Sequence, residues 1–229
     1  MDREELLKIA KPILFNTEMV KAILDRRKTQ TRRIVKTFQL GEEKMSIVYL
    51  EFEDRPCLKV AYPDGNYRLE KVSLAKGDIL YVRETFTKGK KETLHPEKYW
   101  YIRNDLGDDL HYKADCDEWF TDQDSICKWK PLIHMPKAYT RIFLKVTDVR
   151  VERLQDIHEY DCIDEGINTD TERFEIMSNQ QIEGYPNNLI KNSPEITLFK
   201  ELWNSTSKDG YKWEDNPYVF VYEFERITS

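Results

Sequence analysis

The sequence predicts an α+β protein built on a mixed or antiparallel β-barrel with flanking helices and insertions. Three observations support this class: many short runs alternate apolar and polar residues, few helical patterns separate them, and strands and helices do not alternate regularly. A doubly wound parallel sheet requires that regular alternation and is therefore less favoured. A chain of 229 residues is long enough to bury the core of one such domain.

The N-terminal segment carries two helical patterns around one apolar run. Residues 3–9 are amphipathic and predict a short helix, and residues 12–15 predict a buried strand. Asn16 or Thr17 can cap a second helix, because apolar residues recur at helical spacing over residues 17–25. A strongly basic segment begins where that helix ends.

Several short strands follow the basic segment. The turn Pro63-Asp64-Gly65-Asn66 predicts a hairpin between the two strands that flank it, and Lys76-Gly77-Asp78 predicts a turn before the next strand. The predicted strands are residues 31–35, 46–52, 58–62, 67–72 and 79–83.

The C-terminal half contains the longest patterns. Residues 139–154 predict a long strand that bends near 147–148, and residues 156–165 predict a helix that ends at Gly166. Residues 167–193 are polar and predict a loop that could contain one helical turn. A helix that begins at Ser193-Pro194 and a strand over residues 218–226 complete the predicted elements.

An acidic segment interrupts these patterns. Residues 104–124 carry eight carboxylates against one lysine, which is typical of a solvated insertion. We therefore predict a single domain over residues 1–229, with an acidic insertion at about 104–124 and a polar loop at about 167–193.

Composition limits the classes of partner. The formal net charge of −6 argues against the broad basic face that binds duplexes without specificity, so any nucleic-acid contact should be local. The sequence has no run of about 18 apolar residues and no signal-peptide pattern at its start, which predicts a cytoplasmic protein without membrane contact. The oligomeric state is left open.

The four cysteines predict free thiols, because they are scattered and a chain of this size needs no disulfides. A metal site is an alternative, since His111, Cys116, Cys127 and His134 offer ligand atoms within 24 residues. Their spacing matches no common zinc module, so we predict neither a metal nor a cofactor.

The basic segment is the most concentrated chemical feature of the sequence. Six of the eleven residues from Arg26 to Lys36 are basic. Arginine binds phosphate with two parallel hydrogen bonds and stacks on bases, which makes Arg27, Gln30, Arg32 and Arg33 candidate ligand-binding residues. The alternative is a solvated charge run, because cations are favoured at a helix C-terminus.

Residues 26–33, with the sequence RRKTQTRR, resemble the signature G-x-K-x-x-E-x-R of the ASCH family. Lys28 and Arg33 match the signature, whereas Arg26 and Thr31 stand where the family has glycine and glutamate. The resemblance implies a PUA-like barrel, a fold whose members handle RNA and modified nucleosides. It therefore implies an RNA, nucleotide or nucleoside ligand in a basic cleft.

The resemblance extends along most of the chain, to phage and prophage ASCH-domain proteins of similar length. The segments that carry it are KPILF (11–15), KTQTRR (28–33), GDILYVRE (77–84), KWKPLIHMP (128–136) and NPYVFVYEF (216–224).

One ASCH branch, the bacterial N4-acetylcytidine amidohydrolases, implies a catalytic alternative. Lys28, Thr31 and Arg33 match the spacing of that branch, and Glu165 matches its catalytic glutamate near the end of a later helix. Thr31 would attack or position water, Glu165 would act as base, and Lys28 would stabilise the oxyanion or deprotonate Thr31. Thr31 as an ordinary strand residue and Glu165 as an exposed helix-end residue are the structural alternatives.

Three residues outside the basic segment are further ligand candidates. Trp129 lies between Lys128 and Lys130, a basic and aromatic mixture typical of RNA surfaces, although core packing is the more common role of a tryptophan. Arg141 follows it, and His134 could bind a ligand near neutral pH or be purely structural. Glu84 is predicted to pair with Arg33 or Arg83 rather than to catalyse.

The sequence suggests two further functions. The acidic insertion at 104–124 suggests a phage-encoded protein that binds a host protein or mimics a nucleic acid. An RNA-cleaving enzyme would use the same cleft as the amidohydrolase.

Overall fold

The computed structural model describes residues 1–35, 46–50, 57–93, 100–105, 107–117, 120, 127–182 and 193–228. The chain divides into two compact units. Unit 1 contains Met1–Arg26, Asp78–Lys145 and Arg226–Ser229, and unit 2 contains Arg27–Gly77 and Val146–Glu225. The prediction of a single domain remains a prediction.

The described residues form five α-helices and twelve strands. The helices are α1 (Arg3–Ile9), α2 (Thr17–Leu24), α3 (Glu159–Asp164), α4 (Glu172–Ile182) and α5 (Pro194–Thr206). The strands are β1 (Lys11–Leu14), β2 (Gln30–Ile34), β3 (Ser46–Leu50), β4 (Cys57–Ala61), β5 (Tyr67–Lys71), β6 (Ile79–Arg83), β7 (Phe86–Lys88), β8 (Lys90–Thr93), β9 (Trp100–Arg103), β10 (Leu110–Tyr112), β11 (Phe143–Arg153) and β12 (Tyr218–Ile227).

Unit 1 begins with two capped helices. Asp2 and Glu5 form a reciprocal capping box at the start of α1, and the Asn16 side chain accepts a hydrogen bond from the Met19 amide at the start of α2. Strand β6 lies between β1, with which it is parallel, and the first residues of β11, with which it is antiparallel. One buried cluster of this unit consists of Leu6, Ala10, Ile79 and Phe143.

Unit 2 places β12 between β2 and β11, and a separate antiparallel sheet has the order β3-β4-β5. Because strand side chains alternate between faces, Arg32 and Val221 share one face, and Thr31 and Tyr222 share the other. The first face includes Val221 in a core with α3 and α5 that is built on Leu154, Cys162, Phe199 and Trp213. The second face includes Phe220, which packs on Val35, Leu58 and Val72.

The predicted α+β class is confirmed, with several antiparallel sheets and a few helices. The strand orders of the described residues are open, so the closed barrel remains a prediction. Within the same residues, the helices are too short or too polar to cross a bilayer.

The helices at residues 3–9, 17–25 and 194–206 and the main predicted strands are confirmed. The long strand begins later than predicted, at Phe143, because Lys137–Tyr139 forms a 3-10 turn. The helix predicted over 156–165 is α3, and Gly166 follows it with a φ of +95° as expected for a left-handed helix end. Strands β7 to β10 were not predicted, since each spans only three or four residues.

The prediction of a loop over residues 167–193 is wrong where α4 lies. The Thr171 hydroxyl accepts a hydrogen bond from the Phe174 amide and begins the helix, and Arg173 pairs with Glu201 of α5 at 2.7 Å. Ile176 is half exposed, so α4 has little of the apolar stripe that makes a helix visible in a sequence. Residues 183–192 of the predicted loop lie outside the described residues.

The described part of the acidic insertion is more ordered than a solvated segment. It contains β10, which pairs with β7, and a 3-10 turn over Lys113–Asp115. The Asp115 carboxylate accepts two hydrogen bonds of 2.8 Å from Arg141. This ion pair joins the insertion to Arg141, which lies just before β11 in unit 1.

Candidate functional site

The chain enters β2 through a loop that is anchored on both sides. The Thr29 amide donates to the carbonyl of Asp164 at 2.9 Å, and the Thr29 carbonyl accepts from the Phe224 amide at 2.8 Å. These bonds hold the loop against the end of α3 and against β12. Lys28 is thereby turned into the interior of unit 2, where it is only 2% exposed.

The Lys28 ammonium is surrounded by three acceptors. Its Nζ donates to the carbonyl of Gln30 at 2.8 Å, to the carbonyl of Glu165 at 2.7 Å and to Oε2 of Glu165 at 2.7 Å. An ammonium has three protons, so these bonds use all of them. Burial lowers the pKa of Lys28 below its ordinary value, and the Glu165 carboxylate opposes that shift.

Glu165 is the centre of the site. Its Oε1 accepts a bond of 3.3 Å from the Arg32 guanidinium, while its Oε2 is held by Lys28. Arg33 is also attracted by the charge of Glu165, although burial lowers the pKa of Arg33. Arginine remains charged despite such a shift. Three basic residues of the segment 26–33, namely Lys28, Arg32 and Arg33, thus interact with one buried carboxylate.

Arg32 connects Glu165 to a wider network. Its guanidinium donates to Oε1 of Glu152 at 2.7 and 3.1 Å and to Oε1 of Gln30 at 2.6 Å, and it lies 3.4 Å from Asp161. The planar guanidinium also lies 5.9 Å from the centre of the Phe199 ring. The Arg32 side chain has no solvent exposure, so each of these contacts replaces water.

Arg150 closes the network on its outer side. It binds Glu152 at 3.2 Å and Asp161 at 3.0 Å, and it also binds Glu223. We refer to these residues together as the Glu165 cluster: Lys28, Gln30, Arg32, Arg33, Arg150, Glu152, Asp161, Glu165 and Glu223. Its four cations face four carboxylates. The cluster is therefore balanced in charge, unlike the open basic cleft that the sequence predicted.

Thr31 differs from its neighbours on β2. Its side chain is 1% exposed, and among the described residues its hydroxyl has no hydrogen-bond partner. It lies on the face of Arg33 and Tyr222, whereas Gln30 and Arg32 lie on the other face. A buried hydroxyl without a partner costs about 1–3 kcal/mol, so a ligand atom that bonds the Thr31 hydroxyl would recover that cost.

Part of this site is visible in the sequence. Of the proposed catalytic set Lys28, Thr31 and Glu165, the structure brings Lys28 and Glu165 together and adds Arg32, but Thr31 is bonded to neither Lys28 nor Glu165. The interpretation of the segment as a solvated charge run is wrong for Lys28 and Arg32, which are buried. Arg27 is half buried and donates to the Gly166 carbonyl at 3.0 Å, which supports the end of α3.

Four charged members of the cluster were not predicted. They are Arg150, Glu152, Asp161 and Glu223. A signal for two of them was present, because Arg150 and Glu152 alternate with Val149 and Val151 on β11. Charged side chains on such a strand need partners when that face is covered.

The remaining ligand candidates belong to unit 1. Arg141 binds both oxygens of Glu84 at 2.9 Å, so the prediction that Glu84 pairs with Arg33 or Arg83 is wrong. Burial raises the pKa of Glu84 above its ordinary value, and Arg141 opposes the shift. His134 is exposed and Trp129 is half buried, and their roles as ligand residues stay predictions.

Among the described residues, no group of three or more histidine, cysteine or acidic side chains is arranged to hold a metal ion. Comparison with protein-family models, with curated proteins and with solved structures finds no match. The site must therefore be interpreted from its own chemistry.

That chemistry has two components. Lys28 and Glu165 form a buried ion pair, with Nζ and Oε2 2.7 Å apart, and burial lowers the pKa of Lys28. The Thr31 hydroxyl can donate one hydrogen bond and accept others. The arrangement suits a polar ligand that carries little net charge.

Proposed function

We propose that this chain is a PUA-like protein of the ASCH type that binds a nucleoside or nucleotide, free or within RNA, at the Glu165 cluster. The observation that carries the proposal is the buried Thr31 hydroxyl, which lacks a partner among the described residues. Thr31 shares its face of β2 with Arg33 of the cluster and lies on the opposite face from Arg32. The resemblance of residues 26–33 to the ASCH signature supports the same ligand class.

The charge balance of the cluster favours recognition of the base over recognition of phosphate. Lys28 and Arg32 already donate to Glu165 and Glu152, so a phosphate would have to replace these carboxylates. A heterocyclic base offers neutral donors and acceptors that match a hydroxyl such as that of Thr31. Neutral ligands also avoid the cost of bringing an additional charge into a dry site.

Calorimetric titration tests this proposal. We expect cytidine-type nucleosides, modified or not, to bind with an affinity that changes less than about twofold between 50 and 200 mM salt. Binding driven by phosphate contacts falls steeply over that range, because each contact releases counterions. If the chain binds none of cytidine, uridine, N4-acetylcytidine and cytidine monophosphate at millimolar concentration, the proposal is wrong.

A second candidate is an amidohydrolase that removes an acyl group from a nucleoside such as N4-acetylcytidine. The Lys28–Glu165 pair, with its lowered Lys28 pKa, favours it, because acid–base chemistry requires such shifted groups. Thr31 Oγ would attack the acyl carbonyl while Glu165 takes the hydroxyl proton. The C–N bond then breaks as the proton passes to the leaving amine, and water releases acetate from Thr31.

This mechanism requires a rearrangement at Thr31, which is bonded to neither Lys28 nor Glu165, and a second one at Lys28. Its three protons are already donated, so stabilising the oxyanion means exchanging one protein acceptor for the substrate oxygen. Incubation with N4-acetylcytidine, followed by chromatography, should show equal amounts of cytidine and acetate. Cytidine release that persists in Glu165→Gln would refute the role of Glu165 as base. If the wild-type chain releases no cytidine, N4-acetylcytidine is not a substrate.

A further inference from the structure

Unit 1 carries a row of three half-buried aromatic rings. Phe120 lies between Trp100 and Trp129, with ring centres 4.8 and 5.7 Å apart and with edge-to-face geometry at both contacts. We call these three residues the aromatic row. Aromatic side chains that keep part of their surface in solvent are enriched where binding partners cover a protein.

Both ends of the aromatic row hold an ammonium group. Lys91 Nζ lies 4.0 Å from the centre of the Trp100 ring, and Lys113 Nζ lies 5.7 Å from the centre of Trp129. The negative face of an indole attracts cations, and tryptophan is the aromatic side chain that does so best. The row therefore binds ammonium groups, and in this structure Lys91 and Lys113 occupy its two ends.

A carboxylate completes the site at Trp100. The indole Nε1 donates to Oδ1 of Asp117 at 3.0 Å, so an acidic oxygen lies at the edge of the ring that Lys91 covers. A ring face with a nearby carboxylate is the composition that binds alkylammonium groups.

The charge of the surrounding sequence points to a cationic partner. Residues 104–124, which lie between the two tryptophans in the sequence, carry eight carboxylates against one lysine. Asp105 and Asp115 are paired with Arg103 and Arg141, but the excess of negative charge remains. Such a segment repels nucleic acid and attracts basic peptides.

We propose that the aromatic row binds a lysine-rich peptide segment of a partner protein, whose ammonium group displaces Lys91 from Trp100. Lys91 is exposed and unbranched, so it can leave the ring at low cost. Lys91 thus acts as an internal competitor for the site. This proposal concerns unit 1 alone and does not depend on the nucleoside site of unit 2.

The test is a fluorescence titration of the full chain with a labelled ten-residue peptide of alternating lysine and glycine. Lys91→Ala removes the competitor, so we expect its affinity to rise about fivefold or more. Lys90→Ala is the matched control: it removes the same charge from the neighbouring residue, which pairs with Glu92 and contacts no ring of the row. We expect Lys90→Ala to change the affinity by less than about twofold.

Equal gains in both lysine variants would mean a general electrostatic effect and would overturn the ring site. A loss of affinity in Lys91→Ala would also overturn it. Trp100→Leu should weaken peptide binding at least tenfold, and Trp100→Phe should retain most of it, because a ring face remains.

A single-stranded oligonucleotide of ten nucleotides is the competing probe. Its binding at the aromatic row, shown by weakening in both Trp100→Leu and Lys91→Ala, would refute the peptide proposal. Nucleoside titration of Lys91→Ala separates the two proposals, since the Glu165 cluster contains neither residue. Unchanged nucleoside binding together with stronger peptide binding supports the assignment.

Discussion

Lys28 Nζ lies 2.7 Å from the carboxylate of Glu165 and 2.7 Å from its backbone carbonyl, and the Lys28 side chain has no contact with solvent. A single residue at the end of α3 thus supplies two of the three acceptors of a buried ammonium. The position of α3 and the burial of the Lys28 ammonium, just before β2, therefore depend on each other.

Glu165→Gln should strongly destabilise the chain. It leaves Lys28 and Arg32 buried without the anion that both of them contact. Removing one partner of a buried pair typically costs about 3–5 kcal/mol. Glu159→Gln is the control, because Glu159 is an exposed acid on the same helix and should change stability by less than about 0.5 kcal/mol. Urea unfolding of the two variants measures the difference, and similar losses in both would contradict the buried pair.

Arg32→Lys should cost more stability than Arg150→Lys. Arg32 has no exposed side-chain surface, whereas the side chain of Arg150 is 33% exposed and can exchange its partners for water. A lysine at position 32 cannot reproduce the fork that reaches Glu152, Gln30 and Glu165. We expect a loss of about 1.5–3 kcal/mol at position 32 and less than half of that at position 150, measured by thermal unfolding. A larger loss of stability in Arg150→Lys than in Arg32→Lys would contradict the stronger contribution of the Arg32 contacts.

Lys28 gives the unfolding free energy a defined pH dependence. Burial lowers the pKa of Lys28 in the folded chain, so the unfolded chain holds more protons between that pKa and the ordinary value of 10.5. The unfolding free energy due to Lys28 therefore rises with pH inside that interval and is level below it. Urea titrations of the wild type and of Lys28→Met from pH 7 to 10 isolate this slope. Parallel curves for the two proteins would mean that the pKa of Lys28 is not lowered.

The sequence was most informative where periodicity decides the structure. The apolar spacing of α2 and α5 and the alternation of β12 were sufficient to predict these three elements, because each of them buries one regular face. Helix α4 was missed, since it relies on the Thr171 cap and on contact with α5 rather than on an apolar stripe.

The site was predictable only in part for a similar reason. A local run of cations marked β2, but no local pattern shows that Glu152 and Asp161, which are distant in sequence, neutralise them. Because of these long-range ion pairs, the structure has a cluster of balanced charge where the sequence predicted a basic cleft. The orphan state of the Thr31 hydroxyl depends on the same tertiary arrangement and has no sequence signal.

Thr31→Val is the most direct test of the claim that a nucleoside binds where the Thr31 hydroxyl and the Glu165 cluster lie on β2. Valine has nearly the same shape and removes only the unpartnered hydroxyl, so we expect a melting temperature equal to or higher than that of the wild type. We expect nucleoside affinity, measured by calorimetry on the same samples, to fall at least tenfold. Unchanged nucleoside binding, or a clear loss of stability without ligand, would contradict the account, because the hydroxyl would then serve the fold instead of a ligand.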